Sequence, residues 1–480
     1  MALLVALFAF AAMVWMVPVF RSGRMLPLVS AVLLLGTVLG TEFFSVDGPF
    51  QISLDRIAWL LVMGLTVVRW RLGDLQSIRL TRADWLLLAM VGWLLLSTAR
   101  GGPIPESEVP PVARWLFYVA MPVSLYFVCR FIKLRSADIR VFGRVFLALA
   151  TYLAFTAICE VRGWDAFVFP RYIMDRDHWE FLGRGRGPLL NPAANGCLML
   201  IGLMSAVGLI VRGSRVERFV SVVTAVVILG GLYSTLTRSI WLSVLIALAI
   251  AAMVYTPRWV QVLGLVTAMV LGGLMAAGLK DQILSFKRDK NLSASDAAKS
   301  VQLRPLLAVV AWEMFQDRPI TGHGFGHYFA ESPPYHTDRG YGLPLEQARP
   351  YMQHNVLLSL AVDSGLLGVL PMMLWFAIVC RSTWLTLRES SKPRELSKSN
   401  ESSGPYEATQ MALMSLGILA GYVTNGMFHD VIVIPMMHMF LFSFAGLQIN
   451  VRQHGLEANA TMQAATLPAR AGNLSRLQEC

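Results

Sequence analysis

The chain has 480 residues, of which 55% are apolar and 15% are charged, and its net charge is +11. Soluble domains hold about a quarter charged residues, so this balance excludes an ordinary soluble protein and indicates an integral membrane protein. The basic residues stand in short clusters between apolar runs, a pattern typical of polytopic membrane proteins, and this excludes nucleic acid as a partner. The five cysteines show no metal-type spacing, which predicts no metal site built on them.

The apolar runs predict an all-α membrane protein of about 12–13 transmembrane helices, because a crossing helix needs about 20 apolar residues. The first run, Met1 to Phe20, has no basic segment before it and is followed directly by another span. We therefore expect a retained helix rather than a cleaved signal. The predicted spans are 1–20, 25–42, 52–68, 83–99, 114–132, 141–160, 193–211, 217–236, 239–256, 259–279, 355–380, 408–427 and 431–449.

The basic residues orient these spans, because arginine and lysine accumulate in cytoplasmic loops. They fall in alternate loops, from Arg21 and Arg24 at the first turn to the cluster at 381–398. The loops between them, near 43–51, 100–113 and 428–430, are poor in basic residues. The N-terminus is therefore expected to face outward and the C-terminus inward in a cytoplasmic (inner) membrane.

This topology divides the chain into segments of different character. We expect N-terminal helices (1–160), an outer loop (161–192), central helices (193–279), a long outer loop (280–354), C-terminal helices (355–449) with a mobile cytoplasmic loop near 388–408, and a polar cytoplasmic tail (450–480). Loops as long as the two outer ones are uncommon unless they are functional or disordered.

The longer outer loop contains one apolar stretch, "LRPLLAVVAWEMFQ". Its spacing predicts a short helix. We expect Leu306, Val309, Val310 and Trp312 on that helix to lie against the membrane surface.

Arg238 stands between two apolar runs in "STLTRSIW". An arginine at bilayer depth costs about 2.5–3.5 kcal/mol unless it is paired or hydrated, so a partner is expected. The hydroxyl residues around it favour a polar pocket. An interfacial arginine that reaches the headgroups is the alternative, and for one isolated arginine it is the favoured one.

Two further outer segments place arginines beside backbone features that bind anions. Arg304 precedes Pro305, and proline favours the first turn of a helix, whose free N–H groups attract anions. Arg184 and Arg186 alternate with glycines in "GRGRG", and glycine lets the backbone come close to a ligand. The alternatives are a helix-capping arginine at 304 and a flexible basic loop at 184–186.

His354 and Asn355 stand at the outer end of a predicted span. Asn355 is a good helix cap, and a histidine with a pKa of about 6.5 suits proton abstraction at neutral pH. A simple interfacial histidine is the alternative. His323 and His327 in "TGHGFGHYF" have the i, i+4 spacing of metal ligands, but the glycines disfavour a helix, and we interpret those glycines as turn formers rather than a metal or phosphate site.

Three segments, taken together, resemble the O-antigen ligase and O-antigen polymerase superfamily (Wzy_C-type) of integral membrane glycosyltransferases. They are "TLTRSIWLSVLIAL" (235–248), "RPLLAVVAWEMFQDRPITGHGFGHYF" (304–329) and "HNVLLSLAVDSGLLGVL" (354–370). The resemblance implies a GT-C-like helical fold. It also implies transfer of a glycan from an undecaprenyl-diphosphate carrier to a lipid, glycan or protein acceptor at the outer face of the membrane, with neither a nucleotide sugar nor a required metal.

The same resemblance implies roles for individual residues. It makes His354, Arg304 and Arg238 the catalytic residues, and it makes Arg184, Arg186 and Asn355 candidates for substrate binding. A diphosphate is already a good leaving group, so such a site needs arginines to hold its charge and a base for the acceptor hydroxyl. A transporter or flippase that binds an anionic lipid or solute through its membrane arginines is the competing hypothesis.

Overall fold

The computed structural model describes residues 24–46, 51–76, 79–104, 109–274, 294–337, 340–391 and 404–466. The predicted first span, 1–20, lies outside these residues. In the described part of the chain the only strands form a small antiparallel hairpin, in which β1 (Ser45–Val46) pairs with β2 (Ile52–Ser53). The all-α prediction is therefore confirmed.

Most helices begin and end within a few residues of a predicted span, whereas the helices that follow the spans 355–380 and 431–449 extend further. In the first half they are α1 (Leu26–Val38), α2 (Leu54–Arg71), α3 (Arg82–Gly101), α4 (Pro111–Trp115), α5 (Met121–Phe131) and α6 (Ser136–Arg162). In the second half they are α7 (Pro192–Arg212), α8 (Arg215–Ser234), α9 (Arg238–Tyr255), α10 (Arg258–Leu274), α11 (Ala294–Asp317), α12 (Tyr328–Glu331), α13 (Val356–Ser391), α14 (Gly404–Gly426) and α15 (Pro435–Thr466).

Seven helical segments in the described residues are long and apolar enough to cross a membrane. They are Arg82–Gly101, Pro111–Phe131, Ser136–Arg162, Pro192–Arg212, Arg215–Ser234, Arg238–Tyr255 and Val356–Ser391. In the second of these a π-helical turn, Leu116–Ala120, joins α4 to α5. A multi-pass membrane protein is the fold that these segments build.

Two predicted cytoplasmic segments are partly helical. The loop expected at 388–408 is shorter, because α13 continues to Ser391 and α14 begins at Gly404. The last helix runs on to Thr466, so residues 450–466 of the predicted polar tail are helical. Polar composition alone did not reveal that these helices extend beyond their apolar spans.

Small residues let the central helices approach closely. A Cβ on Gly417 of α14 would lie 3.0 Å from the carbonyl oxygen of Leu200 in α7, and one on Gly421 would lie 2.9 Å from the sulfur of Cys197. Glycines four residues apart at a helix contact are typical of membrane helix packing, where close backbone approach replaces the hydrophobic effect. Asn425 at the end of α14 accepts from Ser239 Oγ at 2.7 Å, which joins this pair to the start of α9.

The basic loops that the sequence predicts to be cytoplasmic gather at one end of the bundle. Three contacts link them: Arg24 with Asp138 at 3.7 Å, Arg140 with Glu407 at 3.5 Å, and Arg212 with the carbonyl oxygen of Ser390 at 2.5 Å. The loops at 163–191, 235–237, 318–337, 340–355 and 427–434 lie at the opposite end, where Arg184 contacts Thr235 and Asn355 contacts Met427. This end contains the candidate site.

The long loop before α13 has a hydrophobic core of its own. Leu306 and Val310 of α11 are buried in it together with Tyr328, Tyr335 and Leu345. The predicted helix is present, but the expected membrane contact is wrong for Leu306 and Val310, because the folded loop covers them. Trp312, on the other face of α11, remains 49% exposed.

Candidate active site

The turn between α8 and α9 places Arg238. Leu236 in this turn has a φ of +48°, a left-handed conformation that leucine rarely adopts. Arg184 holds the turn: its Nε donates to the carbonyl oxygen of Thr235 at 3.2 Å, and its Nη2 donates to Thr237 Oγ1 at 2.6 Å. Arg238 follows as the first residue of α9, with a half-buried side chain.

Arg304 lies within α11 rather than at its start. The helix begins at Ala294, so Pro305 is internal, and the predicted anion site on free N–H groups of a first turn is wrong. The guanidinium itself remains available, since its Nε is buried and has no hydrogen-bond partner among the described residues. Arg304 thus presents an unsatisfied buried donor, and each such donor is costly in the absence of a ligand.

His354 precedes the first turn of α13, and its neighbour caps that helix as predicted. Asn355 Oδ1 accepts from the N–H groups of Leu357 at 2.9 Å and Leu358 at 3.1 Å. The exposed imidazole of His354 stands edge-on to the ring of His429, with 6.4 Å between the ring centroids. The cap fixes the backbone beside His354 and directs its side chain to the surface of the site.

Arg238, Arg304 and His354, which we call the basic cluster, influence one another electrostatically although they come from three distant segments. Burial lowers the pKa of Arg304, and the positive charge of Arg238 lowers it further. Partial loss of hydration lowers the pKa of His354, and the charge of Arg304 adds to that effect. Arg304 therefore lies near enough to both Arg238 and His354 for their charges to interact, and His354 is favoured in its neutral form.

The glycine-rich loop after α11 docks into a break in α13. Gly365 has φ +60° and ψ −163°, which interrupts the helix. The freed N–H groups of Leu366 and Leu367 donate to the carbonyl oxygens of Pro319 at 2.8 Å and Ile320 at 3.2 Å. The loop thus replaces the helical hydrogen bonds that the break removes.

Helix α3 satisfies the carbonyl groups on the other side of the same break. Trp93 Nε1 donates to the carbonyl oxygen of Ser364 at 2.8 Å, and Ser97 Oγ donates to that of Asp363 at 3.0 Å. The glycines of the loop have positive φ, as turn formers do, and a Cβ on Gly322 would lie 2.5 Å from the backbone nitrogen of Ser364. Glycine is required there because two backbones touch.

Three ionisable residues near the break escaped the sequence interpretation. Asp363 is 7% exposed, with one carboxylate oxygen accepting from Gly326 N at 3.2 Å and the other buried without a hydrogen-bond partner in the described residues. Asp430 accepts from Ser359 Oγ at 3.0 Å. Burial raises the pKa of Asp430 to about 6, and Arg114 nearby opposes the rise. Asp363, a single acidic residue inside an apolar run, was a sequence signal for this group, whereas Arg114 and Asp430 stand at the boundaries of predicted spans.

Arg184 and Arg186 have protein partners. Arg186 is fully buried: Nη1 donates to the carbonyl oxygen of Glu180 at 2.7 Å, Nη2 donates to that of Ile173 at 2.6 Å, and Nε lies 3.3 Å from the carboxylate of Glu160. The structure does not bring Arg186 to the basic cluster. The two glycines that flank Arg186 contact helices, since a Cβ on Gly185 would lie 2.7 Å from that of Ala157 in α6 and one on Gly187 would lie 2.7 Å from the side chain of Asn195 in α7.

The histidines of "TGHGFGHYF" also contact the protein through their ring nitrogens. His323 Nε2 lies 2.8 Å from the carbonyl oxygen of Met314, and His327 Nε2 lies 2.8 Å from that of Gly102. In the described part of the chain no group of three or more histidine, cysteine, aspartate or glutamate side chains could hold a metal ion. These histidines therefore tie the loop to α11 and α3.

One known family matches part of the chain. Residues 223–373 match the family described as O-antigen ligase. The matched segment contains the basic cluster, Asn355 and the break at Gly365, whereas Arg184 and Arg186 lie before it. No curated protein matches the chain. The predicted resemblance is confirmed, and the family acts generally in glycan transfer during polysaccharide synthesis.

Proposed function

We propose, from the premise that residues 223–373 form an O-antigen ligase domain, that the chain transfers a glycan from an undecaprenyl-diphosphate carrier to an acceptor hydroxyl. The acceptor is a lipid, another glycan or a protein. The enzyme class is a membrane glycosyltransferase of the O-antigen ligase or polymerase type. The observation that supports this best is the convergence of Arg238, Arg304 and His354.

The proximity of the two guanidinium groups, Arg238 and Arg304, favours an anionic ligand. Like charges held close together in a partly buried site repel by an amount of the order of kilocalories per mole, and a diphosphate between them turns that repulsion into attraction. The guanidinium fork binds phosphate oxygens in a bidentate manner and keeps its charge on burial. The unsatisfied Nε of Arg304 is a donor suited to such a ligand.

The proposed reaction is one direct displacement. The acceptor O–H gives its proton to the neutral imidazole of His354 while its oxygen forms a bond to the anomeric carbon of the donor sugar. The bond from that carbon to the phosphate oxygen breaks, and its electron pair leaves with undecaprenyl diphosphate, which Arg304 and Arg238 hold. The product has an inverted anomeric centre, so a product of retained configuration excludes this single step.

We propose supporting roles for the other three predicted residues. Arg184 holds the turn that presents Arg238, Arg186 holds the 173–180 segment through its carbonyl groups, and Asn355 caps the helix beside His354. Each side chain uses its polar groups on the protein itself. These residues therefore position the site, and direct contact with the donor is left to the basic cluster.

The proposed site faces the periplasm or exterior of a cytoplasmic membrane. The arginine-rich loops lie together at the opposite end of the bundle, and such loops accumulate on the cytoplasmic side. Polyprenyl-linked donors and surface acceptors meet on the outer face, which agrees with this orientation. Membrane lipid surrounds the helices and is a further partner.

The broken helix α13 is the one observation that favours the transporter hypothesis, since transporters bind solutes at broken helices. The groups freed at Gly365 are not open to a solute, however. The loop at 319–324 and the side chains of Trp93 and Ser97 occupy them. The break therefore serves to seat the loop, and the enzyme hypothesis accounts better for it.

A transfer assay in isolated membranes tests the proposal. His354→Ala should insert and fold normally but lose transfer of lipid-linked glycan, because a positioned base contributes roughly 10²–10⁴-fold. Arg304→Lys should lose most transfer activity because the point charge of lysine does not reproduce the guanidinium fork. Arg349 is an exposed arginine of the same loop, so Arg349→Lys should retain the activity. Full transfer by the His354 variant would remove it as the base.

Deletion of the gene distinguishes the reaction types. Accumulation of free lipid-linked polymer indicates a ligase, whereas accumulation of single lipid-linked repeat units indicates a polymerase. A surface polysaccharide unchanged by the deletion would count against both.

A further inference from the structure

A cavity with acidic side chains in its lining opens at the same end of the bundle as the basic cluster. Different elements line it. It has a volume of about 380 Å³ and lies between the ends of α1 and α2, the π-helical turn, the loop before α7 and the start of α15. Cavities of roughly 300–1,000 Å³ with a few convergent polar groups are typical of small-ligand sites. None of the residues proposed to act on the diphosphate lines it.

The charge of this cavity is opposite to that of the basic cluster. Glu42, Asp55 and Glu180 line it, and Arg56 is the one arginine among its lining residues. The positive charge of Arg56 offsets part of the negative charge of these carboxylates. Its guanidinium lies 3.7 Å from the ring centroid of Phe117 and covers one face of that ring. An excess of carboxylates repels a phosphate group, so the cavity does not suit the donor's diphosphate.

Aromatic and apolar side chains complete the walls. Phe117, Tyr172 and Phe181 contribute rings, and Leu189 and Met436 contribute aliphatic surface. Ionised carboxylates only accept hydrogen bonds, and sugar hydroxyl groups donate them, while the C–H face of a sugar ring packs on aromatic carbon. This combination of groups recognises a saccharide.

Backbone strain marks the rim of the cavity. Phe181 has a φ of +61° and Leu190 a φ of +50°, and both residues line it. Side chains other than glycine adopt this region at a cost, and such residues concentrate at ligand-binding positions. The hydrogen bond from Tyr172 Oη to the carbonyl oxygen of Pro188, at 2.8 Å, ties the turn before Leu190 to another segment of the cavity wall.

Short chains of contacts join the cavity to the basic cluster. The guanidinium of Arg184 lies 5.2 Å from the ring centroid of Phe181 and donates to Thr237, the residue before Arg238. On another side, the lining residue Ile434 follows the 3-10 turn after Asp430, which holds Ser359 near the start of α13. The two sites are therefore neighbours within one end of the bundle.

We infer that this cavity binds a sugar residue of the acceptor and presents its hydroxyl to the basic cluster, an inference that rests on the proposed function. The diphosphate and the acceptor sugar then occupy separate sites of opposite charge, which keeps the donor out of the acceptor position. A phospholipid is the competing occupant, but its phosphate would face three carboxylates.

Photo-crosslinking captures the occupant of the cavity and identifies it by its mass. Benzoylphenylalanine placed at Leu189 in the native host should form an adduct whose mass and fragments are those of a saccharide. Thr41→Trp, which puts an indole into the cavity, should abolish that adduct. A phospholipid or polyprenyl adduct at position 189, or none, would overturn the inference.

Two comparisons separate this inference from the proposed function and from simple misfolding. Benzoylphenylalanine at Tyr351, an exposed position close to His354, should capture polyprenyl diphosphate, and a failure there would count against the donor assignment instead. Glu180→Gln should lower the yield of the saccharide adduct at 189 roughly tenfold, on the scale of one charge-assisted hydrogen bond. Glu346→Gln, an exposed glutamate outside the cavity, should leave that yield unchanged, and equal yields in the two variants would contradict a carboxylate contact.

Discussion

The break in α13 gives the sharpest test of how the site is built. Gly365→Ala adds a methyl group at a residue with φ +60° and ψ −163°, a conformation that is essentially restricted to glycine. The new Cβ would lie 2.4 Å from the carbonyl carbon and oxygen of Ile320, which are backbone atoms and cannot rotate away. The loop must therefore separate from the helix.

The cost has two parts. Backbone strain at this position contributes about 1–3 kcal/mol, and loss of the two hydrogen bonds from Leu366 and Leu367 contributes about 0.5–1.5 kcal/mol each. We therefore expect a loss of about 2–6 kcal/mol in stability, measured as the thermal unfolding of detergent-solubilised protein, together with loss of glycan transfer.

A glycine in open space provides the control. A Cβ on Gly92 of α3 would meet no atom within 4 Å, and Gly→Ala in a helix gains about 0.5–1 kcal/mol. Gly92→Ala should therefore melt at the same or a higher temperature and retain transfer. If Gly365→Ala behaved like Gly92→Ala in both measurements, the docking of the loop onto the broken helix would be refuted.

Three further predictions concern charged residues. Because the charge of Arg304 lowers the pKa of His354, Arg304→Gln should raise that pKa. Diethylpyrocarbonate modification of His354, followed by mass spectrometry, should then shift to higher pH. An unshifted profile would disprove the coupling. Asp84→Asn breaks a buried bidentate pair with Arg130, in which both hydrogen bonds are 3.0 Å long. The variant should lower the free energy of unfolding by about 3–5 kcal/mol, and its folded fraction should still transfer glycan. Arg186→Lys should lower the melting temperature but leave donor binding by the folded protein intact, and normal melting with lost donor binding would show that Arg186 contacts the donor.

Local features of the sequence were sufficient for the helices and for the cap at Asn355. Apolar length sets the spans, and an asparagine before a helix accepts from its first N–H groups wherever the rest of the chain lies. The start of α11 was predicted wrongly because Pro305 favours a first turn. A proline inside a helix has the same local sequence, so the sequence did not distinguish the two positions. The spans and the cap, by contrast, depend on residues close to one another along the chain.

The contacts that build the site depend on residues far apart along the chain, and the sequence could not reveal them. Gly322 must be glycine because a Cβ there would meet the backbone of Asp363 and Ser364, and Gly365 because a Cβ there would meet the backbone of Ile320. Asp430 has a role only once Ser359 and Arg114 are beside it. The glycines around Arg186 show the same limitation. Their absence of side chains signalled a close approach, but not that the approaching group is a helix rather than a ligand.

The arginines and the carboxylates at this end of the bundle have complementary roles. Buried cations near a membrane are stable only if a ligand or the protein satisfies them. Arg184 and Arg186 donate to carbonyl and hydroxyl groups, and the Nε of Arg186 lies 3.3 Å from the carboxylate of Glu160, whereas the buried Nε of Arg304 has no hydrogen-bond partner among the described residues. The protein thus uses its satisfied arginines to hold the turn and loop in place and leaves an unsatisfied donor where a diphosphate is proposed to bind. The carboxylates of the neighbouring cavity then give the second substrate a site from which the first is repelled, so that a single ordered encounter brings the hydroxyl group to the anomeric carbon.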